Sequence, residues 1–81
     1  MQFKPKNKEE LLGLYVAQTL DDIKNLPFYL SCTKSFPEEH IRKALRAVRK
    51  EAILKIKNRR GTFFKYLMQI NAEENPDHSR N

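Results

Sequence analysis

Residues that build cross-links and metal sites are scarce in this chain. Cys32 is its single cysteine, which excludes an internal disulfide and a cysteine-rich zinc site. The two histidines, His40 and His78, lie in different contexts, one beside a helix start and one near the chain end, and predict no shared metal site. We therefore expect no metal or cofactor, and we expect Cys32 to be a small apolar filler of the core.

Long apolar runs are also absent. Runs such as Leu11-Leu12, Ile53-Leu54 and Phe63-Phe64 are far short of the roughly 20 residues that span a bilayer. Residues 1–8 are positively charged, but no apolar stretch of signal-peptide length follows them. The sequence therefore predicts a cytoplasmic protein without a membrane segment.

No arrangement of side chains suggests catalysis. Adjacent carboxylates occur at Asp21-Asp22, Glu38-Glu39 and Glu73-Glu74, at predicted helix ends or in a tail, and acids in a first helical turn complement the helix dipole. Ser31 and Ser35 lack the neighbours of an activated nucleophile. We expect the protein not to be an enzyme.

What the sequence does contain is the pattern of a small all-α protein. Its 81 residues, of which 40% are hydrophobic, suit one domain with a modest core. Apolar residues at helical spacing predict a small bundle of four helices, at about 8–20, 26–35, 37–57 and 62–72. We expect residues 1–72 to form a single helical domain and residues 73–81 to form a mobile polar tail.

The predicted helix starts rest on capping signals. Asn7 with an acid three residues later is typical of a first turn, and Ser35 followed by Pro37 and Glu38 repeats that signal. The pair Gly61-Thr62 predicts the end of helix three and the cap of helix four.

Helix three should bury one stripe and helix four most of its surface. The stripe of helix three consists of Ile41, Leu45, Val48, Ala52 and Ile56. Ile53 and Leu54 lie off this stripe, so a further element covers them, the helix bends, or they form a partner interface. Helix four is apolar around nearly its whole circumference, which predicts the centre of the core.

Charge is strongly segregated along the chain. Residues 42–65 contain ten cations and one acid, a net charge of +9, whereas the remainder carries six cations and nine acids, a net charge of −3. Solubility alone would not require such segregation.

The cations of helix three share the face opposite its apolar stripe, which predicts a basic ridge. The predicted nucleic-acid contacts of the ridge, the following turn and helix four are Arg42, Arg46, Arg49, Lys50, Lys57, Arg59, Arg60 and Lys65. Such a ridge binds phosphates with an affinity that falls as salt rises. Free amides and Thr62 at the start of helix four could add an anion site. Helix three, the turn and helix four have the outline of a helix-turn-helix, but the apolar helix four argues against the standard version.

Other interpretations of the ridge remain open. A basic helix face is often merely solvated. The ridge could instead meet an acidic protein partner, with Ile53 and Leu54 as the apolar centre of that interface or of a homodimer. An anionic membrane surface is the least favoured partner, because the apolar stripe of helix three faces away from its cations.

Residues 26–70 also resemble a known family. Leu26-Pro27-Phe28-Tyr29-Leu30, Phe36-Pro37-Glu38-Glu39, the basic helix and the run 58–67 together resemble the helical domains of bacterial and mobile-element replication proteins, the DnaD-like C-terminal domains in particular. The resemblance implies binding of DNA, in preference to RNA, and of replication partners. A tryptophan often found near the end of such domains is absent from this chain.

Overall fold

A computed structural model of the chain describes residues 3–51 and 55–74. These residues form four α-helices and no strand, which confirms the predicted all-α bundle. The helices are α1 (Lys8–Thr19), α2 (Leu26–Ser35), α3 (Glu38–Arg49) and α4 (Arg59–Glu74), with a 3-10 turn at Ile23–Asn25. Residues 52–54, which include the predicted stripe residue Ala52 as well as Ile53 and Leu54, lie outside the described residues, as does the predicted tail beyond residue 74. No helix within the described ranges has the length and apolarity needed to cross a bilayer.

The bundle consists of two helical hairpins. α1 packs chiefly on α2, and α3 packs chiefly on α4. Gly13 allows the close approach in the first hairpin, because a Cβ atom there would lie 2.8 Å from Leu30 Cδ2 and 3.2 Å from Leu30 Cα. In the second hairpin Lys43 contacts Glu74, and Tyr66 donates a hydrogen bond to Glu51. These two contacts show that α3 and α4 run antiparallel.

The core lies between the hairpins and draws on every helix. Its completely buried large side chains are Val16, Leu20, Tyr29, Ile41, Val48, Phe63 and Leu67. Cys32 is buried among them, as expected for an apolar filler, and burial raises the pKa of its thiol to about 11. The two hairpins thus share one hydrophobic core.

The corner between α1 and α2 is held by a buried carboxylate. Asp22 accepts a hydrogen bond of 2.7 Å from the Tyr29 hydroxyl and further ones of 3.0 Å from Asn25 Nδ2. Burial, and then this hydrogen bond, raises the pKa of Tyr29 above its ordinary range. The neutral Tyr29 hydroxyl therefore satisfies Asp22 at the point where the chain reverses direction.

The predicted bounds of the first two helices are confirmed to within a residue, and Asn7 caps α1 by accepting from Glu10 N–H at 2.9 Å. The predicted cap at Ser35 is wrong. Ser35 is the last residue of α2, and Pro37 precedes α3 without a side-chain hydrogen bond. Phe36 and Pro37 are both non-helical, so two residues connect α2 to α3.

The predicted end of helix three near residue 57 is wrong, because α3 ends at Arg49. Ile56 nevertheless packs against the core from the segment that follows. Its apolar side chain therefore continues the helical spacing without belonging to the helix. The antiparallel return to α4 requires the chain to turn before residue 59, and the apolar periodicity could not reveal this.

Helix four begins earlier than predicted and is less buried. Asn58 caps it by accepting from Gly61 N–H at 2.9 Å, so Gly61 and Thr62 lie in the first turn of α4 and end no helix. α4 continues to Glu74, two residues past the predicted helix end at residue 72. Only Phe63 and Leu67 are buried in α4, so it is not the centre of the core.

Candidate nucleic-acid interface

The antiparallel helices place most carboxylates at one end of the bundle, which we call the acidic pole. The first turns of α1 and α3 lie there, on either side of a groove of about 710 Å³. The contact between Lys43 and Glu74 brings the end of α4 to the same place. The carboxylates of the acidic pole are Glu9, Glu10, Glu38, Glu39, Glu73 and Glu74.

Cations collect toward the opposite end, which we call the basic pole. It comprises the last turn of α3, residues 55–58, the first turn of α4 and the 3-10 turn. A cleft of about 470 Å³ lies there, lined by Lys24, Lys57, Arg59 and Arg60 as well as by Asp21 and Asp22. The carboxylates thus gather mainly at one end of the bundle, whereas cations lie at both ends, since Lys8 and Lys34 also line the groove of the acidic pole.

In the first half of α3, carboxylates neutralise the cations. Arg42 Nε lies 2.7 Å from Glu38 Oε2. Lys43 Nζ lies 2.6 Å from Glu74 Oε2 and 3.7 Å from Glu39 Oε1. Hydrogen bonding between Lys43 and Glu74 raises the pKa of the lysine and lowers that of the glutamate, so the pair stays charged. Arg42 is therefore less available to an external anion than the sequence indicated.

In the second half of α3 the cations have no such partners. Arg46 and Arg49 in α3, and Lys50 just after it, are exposed, whereas Ile41 and Val48 are buried. None of the three forms an ion pair within residues 3–51 and 55–74. Their position at a helix C-terminus is itself favourable, because cations there complement the dipole.

Lys57 does not belong to the ridge on α3. It is exposed in the non-helical segment before α4, where it lines the cleft of the basic pole. Lys65 is exposed on the outer side of α4, away from the buried Phe63 and Leu67. Lys57 therefore reaches the basic pole from outside a helix, contrary to the prediction, whereas Lys65 lies on the fourth helix as predicted.

Arg59 has a structural task that the sequence did not indicate. Its guanidinium donates to the backbone carbonyls of Leu20 and Asp21, both at 3.1 Å, and lies 3.6 Å from the Asp21 carboxylate. Asp21 adopts a left-handed conformation, with φ of 52°, just after the end of α1. Arg59 thus caps α1 and joins the two hairpins, which limits its availability to a phosphate.

The predicted anion site at the start of helix four is also altered. Gly61 N–H is already bonded to Asn58 Oδ1, and Thr62 N–H is bonded to the Asn58 carbonyl at 3.0 Å. Neither amide is therefore available to a phosphate. Arg60 remains exposed, with its guanidinium carbon 5.4 Å from the centre of the Phe28 ring.

Sequence reasoning missed a group of apolar side chains beside Arg60. Phe64 and Met68 are 38% and 43% exposed, and Phe64 contacts the rings of Phe28 and Phe36. The signal was present, because Arg60, Phe64 and Met68 follow one another at intervals of four and so share one side of α4. The apolar character of the whole helix concealed it.

Metal ligation has no support in the described ranges, where no three His, Cys, Asp or Glu side chains are grouped to hold an ion. His40 is buried, with Nε2 4.0 Å from Glu74 Oε1 and with no hydrogen-bond partner for Nδ1 among the described residues. No family model, curated protein or solved structure matches this chain. The resemblance to DnaD-like domains thus rests on its sequence motifs alone.

Proposed function

We propose that the protein is a nucleic-acid-binding accessory module that contacts the phosphate backbone through its basic pole. One observation carries the proposal: exposed cations without a carboxylate partner in the described residues gather on the last turns of α3, before α4 and on α4. They are Arg46, Arg49, Lys50, Lys55, Lys57, Arg60 and Lys65.

Counterion release supplies the binding energy of such a surface. Each phosphate that a cation neutralises releases condensed counterions, which lowers the logarithm of affinity by about 0.9 per tenfold rise in salt on duplex DNA. If most of the unpaired cations make contact, a plot of log affinity against log salt concentration should have a slope of about −4 to −5. Phosphate contacts carry no direct sequence information, so binding should show little base specificity.

The biological setting follows from the sequence resemblance. DnaD-like domains imply DNA as the preferred nucleic acid, and replication or regulation of a bacterial mobile element as the process. The charge distribution supports polyanion binding in general and is equally compatible with RNA.

The proposal is tested by fluorescence anisotropy with labelled nucleic acid at about 50 and 200 mM salt. The decisive variant is Arg46→Gln/Arg49→Gln, which removes two unpaired cations. Its matched control is Lys4→Gln/Lys6→Gln, which lowers the net charge by the same amount in an exposed segment next to the acidic pole. Circular dichroism melting verifies that both variants fold.

We expect wild type and the Lys4/Lys6 control to bind alike, with micromolar affinity that weakens as salt rises, and the Arg46/Arg49 variant to lose most of this binding. Equal losses in the two variants would show that net charge alone attracts the polyanion. No binding of any nucleic acid at low salt would reject the proposed function.

A protein-interaction module is the second candidate, and exposed apolar side chains on α1 favour it. Leu11 and Tyr15, 57% and 44% exposed, line a groove of about 670 Å³ together with Glu38 and Arg42. A second copy or an acidic partner could bind there. Sedimentation velocity on wild type and Leu11→Ser tests it: concentration-dependent association that the variant loses supports the candidate, and a monomer at every concentration contradicts homodimerisation.

A further inference from the structure

A strip of aromatic side chains continues from the basic pole along the junction of α2 and α4. Arg60 begins it, over the ring of Phe28. The Phe28 and Phe64 ring centres are 5.7 Å apart, and those of Phe36 and Phe64 are 6.4 Å apart. We call Phe28, Phe36 and Phe64 the aromatic strip.

Phe28 and Phe36 are partly buried against the core, whereas Phe64 is exposed. Phe63 is completely buried and packs edge to face on Tyr29, with ring centres 5.6 Å apart. Phe64, one residue later, keeps 38% of its surface in water, and Met68 one turn further keeps 43%. Apolar surface left beside unpaired cations is more typical of a binding site than of a core.

Aromatic rings beside cations are the arrangement that binds single-stranded nucleic acid. The cations follow the phosphates, and the bases stack on the rings, since every base has a π-face. A base inside a duplex is already stacked and paired, so its face cannot reach a protein ring without being flipped out. An unpaired strand can therefore use both surfaces, whereas a duplex can use only the cations.

We propose that the basic pole and the aromatic strip form one site for unpaired single-stranded nucleic acid, with Phe64 as the principal base-stacking residue and Arg60 as the link between the two surfaces. This inference rests on the proposed function and gives its substrate class. The ligand is an unpaired strand, which single-stranded DNA or single-stranded RNA could supply.

The test compares Phe64→Leu with Phe3→Leu, since Phe3 is a phenylalanine of similar exposure in the N-terminal segment, at 36%. Affinities are measured by anisotropy for oligo(dT) and oligo(U) of about 20 nucleotides and for a duplex of the same length, which exceeds the usual footprint of a small binding domain. We expect wild type to prefer a single strand over the duplex. Phe64→Leu should weaken single-strand binding at least about fivefold, since stacking is worth roughly 1 kcal/mol or more per base.

In the same test, duplex affinity should stay unchanged in Phe64→Leu, and Phe3→Leu should match wild type on every ligand. Preference for oligo(dT) over oligo(U), or the reverse, identifies the source of the strand. An unchanged single-strand affinity in Phe64→Leu, together with losses on all ligands in Arg46→Gln/Arg49→Gln, would reject the aromatic strip and leave the proposed function standing. Failure of every ligand to bind would reject both.

A second variant reports stacking directly and retains an aromatic ring. The chain has no tryptophan, so Phe64→Trp introduces a single indole at the site. We expect its fluorescence to be quenched by the single strands and not by the duplex. Quenching by neither, at concentrations where anisotropy shows binding, would place the bases elsewhere. Sedimentation velocity of wild type and Phe64→Leu tests whether a second copy of the chain binds the strip instead. If wild type self-associates, and Phe64→Leu abolishes this association without changing single-strand affinity, the strip is a protein contact and the proposal is overturned.

Discussion

The two halves of α3 are both rich in cations, yet they present different charge to solvent. In the first half, Arg42 is paired with Glu38, and Lys43 is paired with Glu74, at 2.7 and 2.6 Å. In the second half and at the residue that follows it, the cations have no carboxylate partner among the described residues; they are Arg46, Arg49 and Lys50. The density of cations along a sequence therefore overstates what a helix offers to a polyanion, because tertiary contacts neutralise some of them.

The largest expected effect separates the two halves directly. Arg46→Gln/Arg49→Gln should lower nucleic-acid affinity on the order of 10- to 100-fold and make the salt slope shallower by about 2, since each lost phosphate contact removes about one. Arg42→Gln/Lys43→Gln removes the same charge from the paired half and should cost about threefold or less. Anisotropy titrations at several salt concentrations give both numbers. Equal losses would show that the ion pairs do not withhold Arg42 and Lys43 from phosphate.

The next effect extends the comparison to two adjacent arginines at the start of α4. Arg59→Ala should reduce the free energy of unfolding by about 1–2 kcal/mol, because two carbonyls at the end of α1 lose a charged donor. Arg60→Ala should cost about 0.5–1 kcal/mol, since it removes only a partly exposed contact with an aromatic ring. Urea denaturation monitored by circular dichroism measures both. The reverse order would contradict the structural role of Arg59.

A smaller effect would make the paired half resemble the unpaired half. Glu38→Gln/Glu74→Gln releases Arg42 and Lys43 from their ion pairs, so nucleic-acid affinity should rise about three- to tenfold. Glu9→Gln/Glu73→Gln is the matched control, because it removes two carboxylates of the acidic pole for which no ion pair is found within the described residues. An equal rise in both variants would indicate relief of general repulsion and not release of particular cations.

The smallest effect is the pH dependence of the contact between Lys43 and Glu74. The lysine holds the pKa of Glu74 below its ordinary value of 4.5, so the folded state binds this proton less readily than the unfolded state does. The stability that the pair contributes is present above pH 4.5 and lost as pH falls through the lowered pKa. The urea midpoint of wild type should exceed that of Lys43→Gln at neutral pH, and the two midpoints should approach each other at acid pH. An equal difference at both pH values would contradict the coupling.

Features that depend on residues close together in the chain were predictable from the sequence, and features that depend on distant or competing residues were not. The start of α1 was predictable because its cap joins Asn7 to Glu10, three residues apart. The outward direction of Arg46 was predictable because helical geometry places it opposite the stripe of Ile41 and Val48. The bounds of α4 were not predictable, since two cap signals competed within Asn58–Thr62 and the asparagine, a stronger cap than threonine, prevailed.

By itself, the sequence determined that this protein is a small helical bundle, which residues of α3 face its core, and that its charge is divided between two segments. These properties follow from periodicity and capping, which act within one or two helical turns. Only the tertiary structure decided which cations remain unpaired and which aromatic rings remain exposed. Lys43 meets Glu74 across 31 residues and Arg59 meets Leu20 across 39, distances along the chain that only the packing of the hairpins can close.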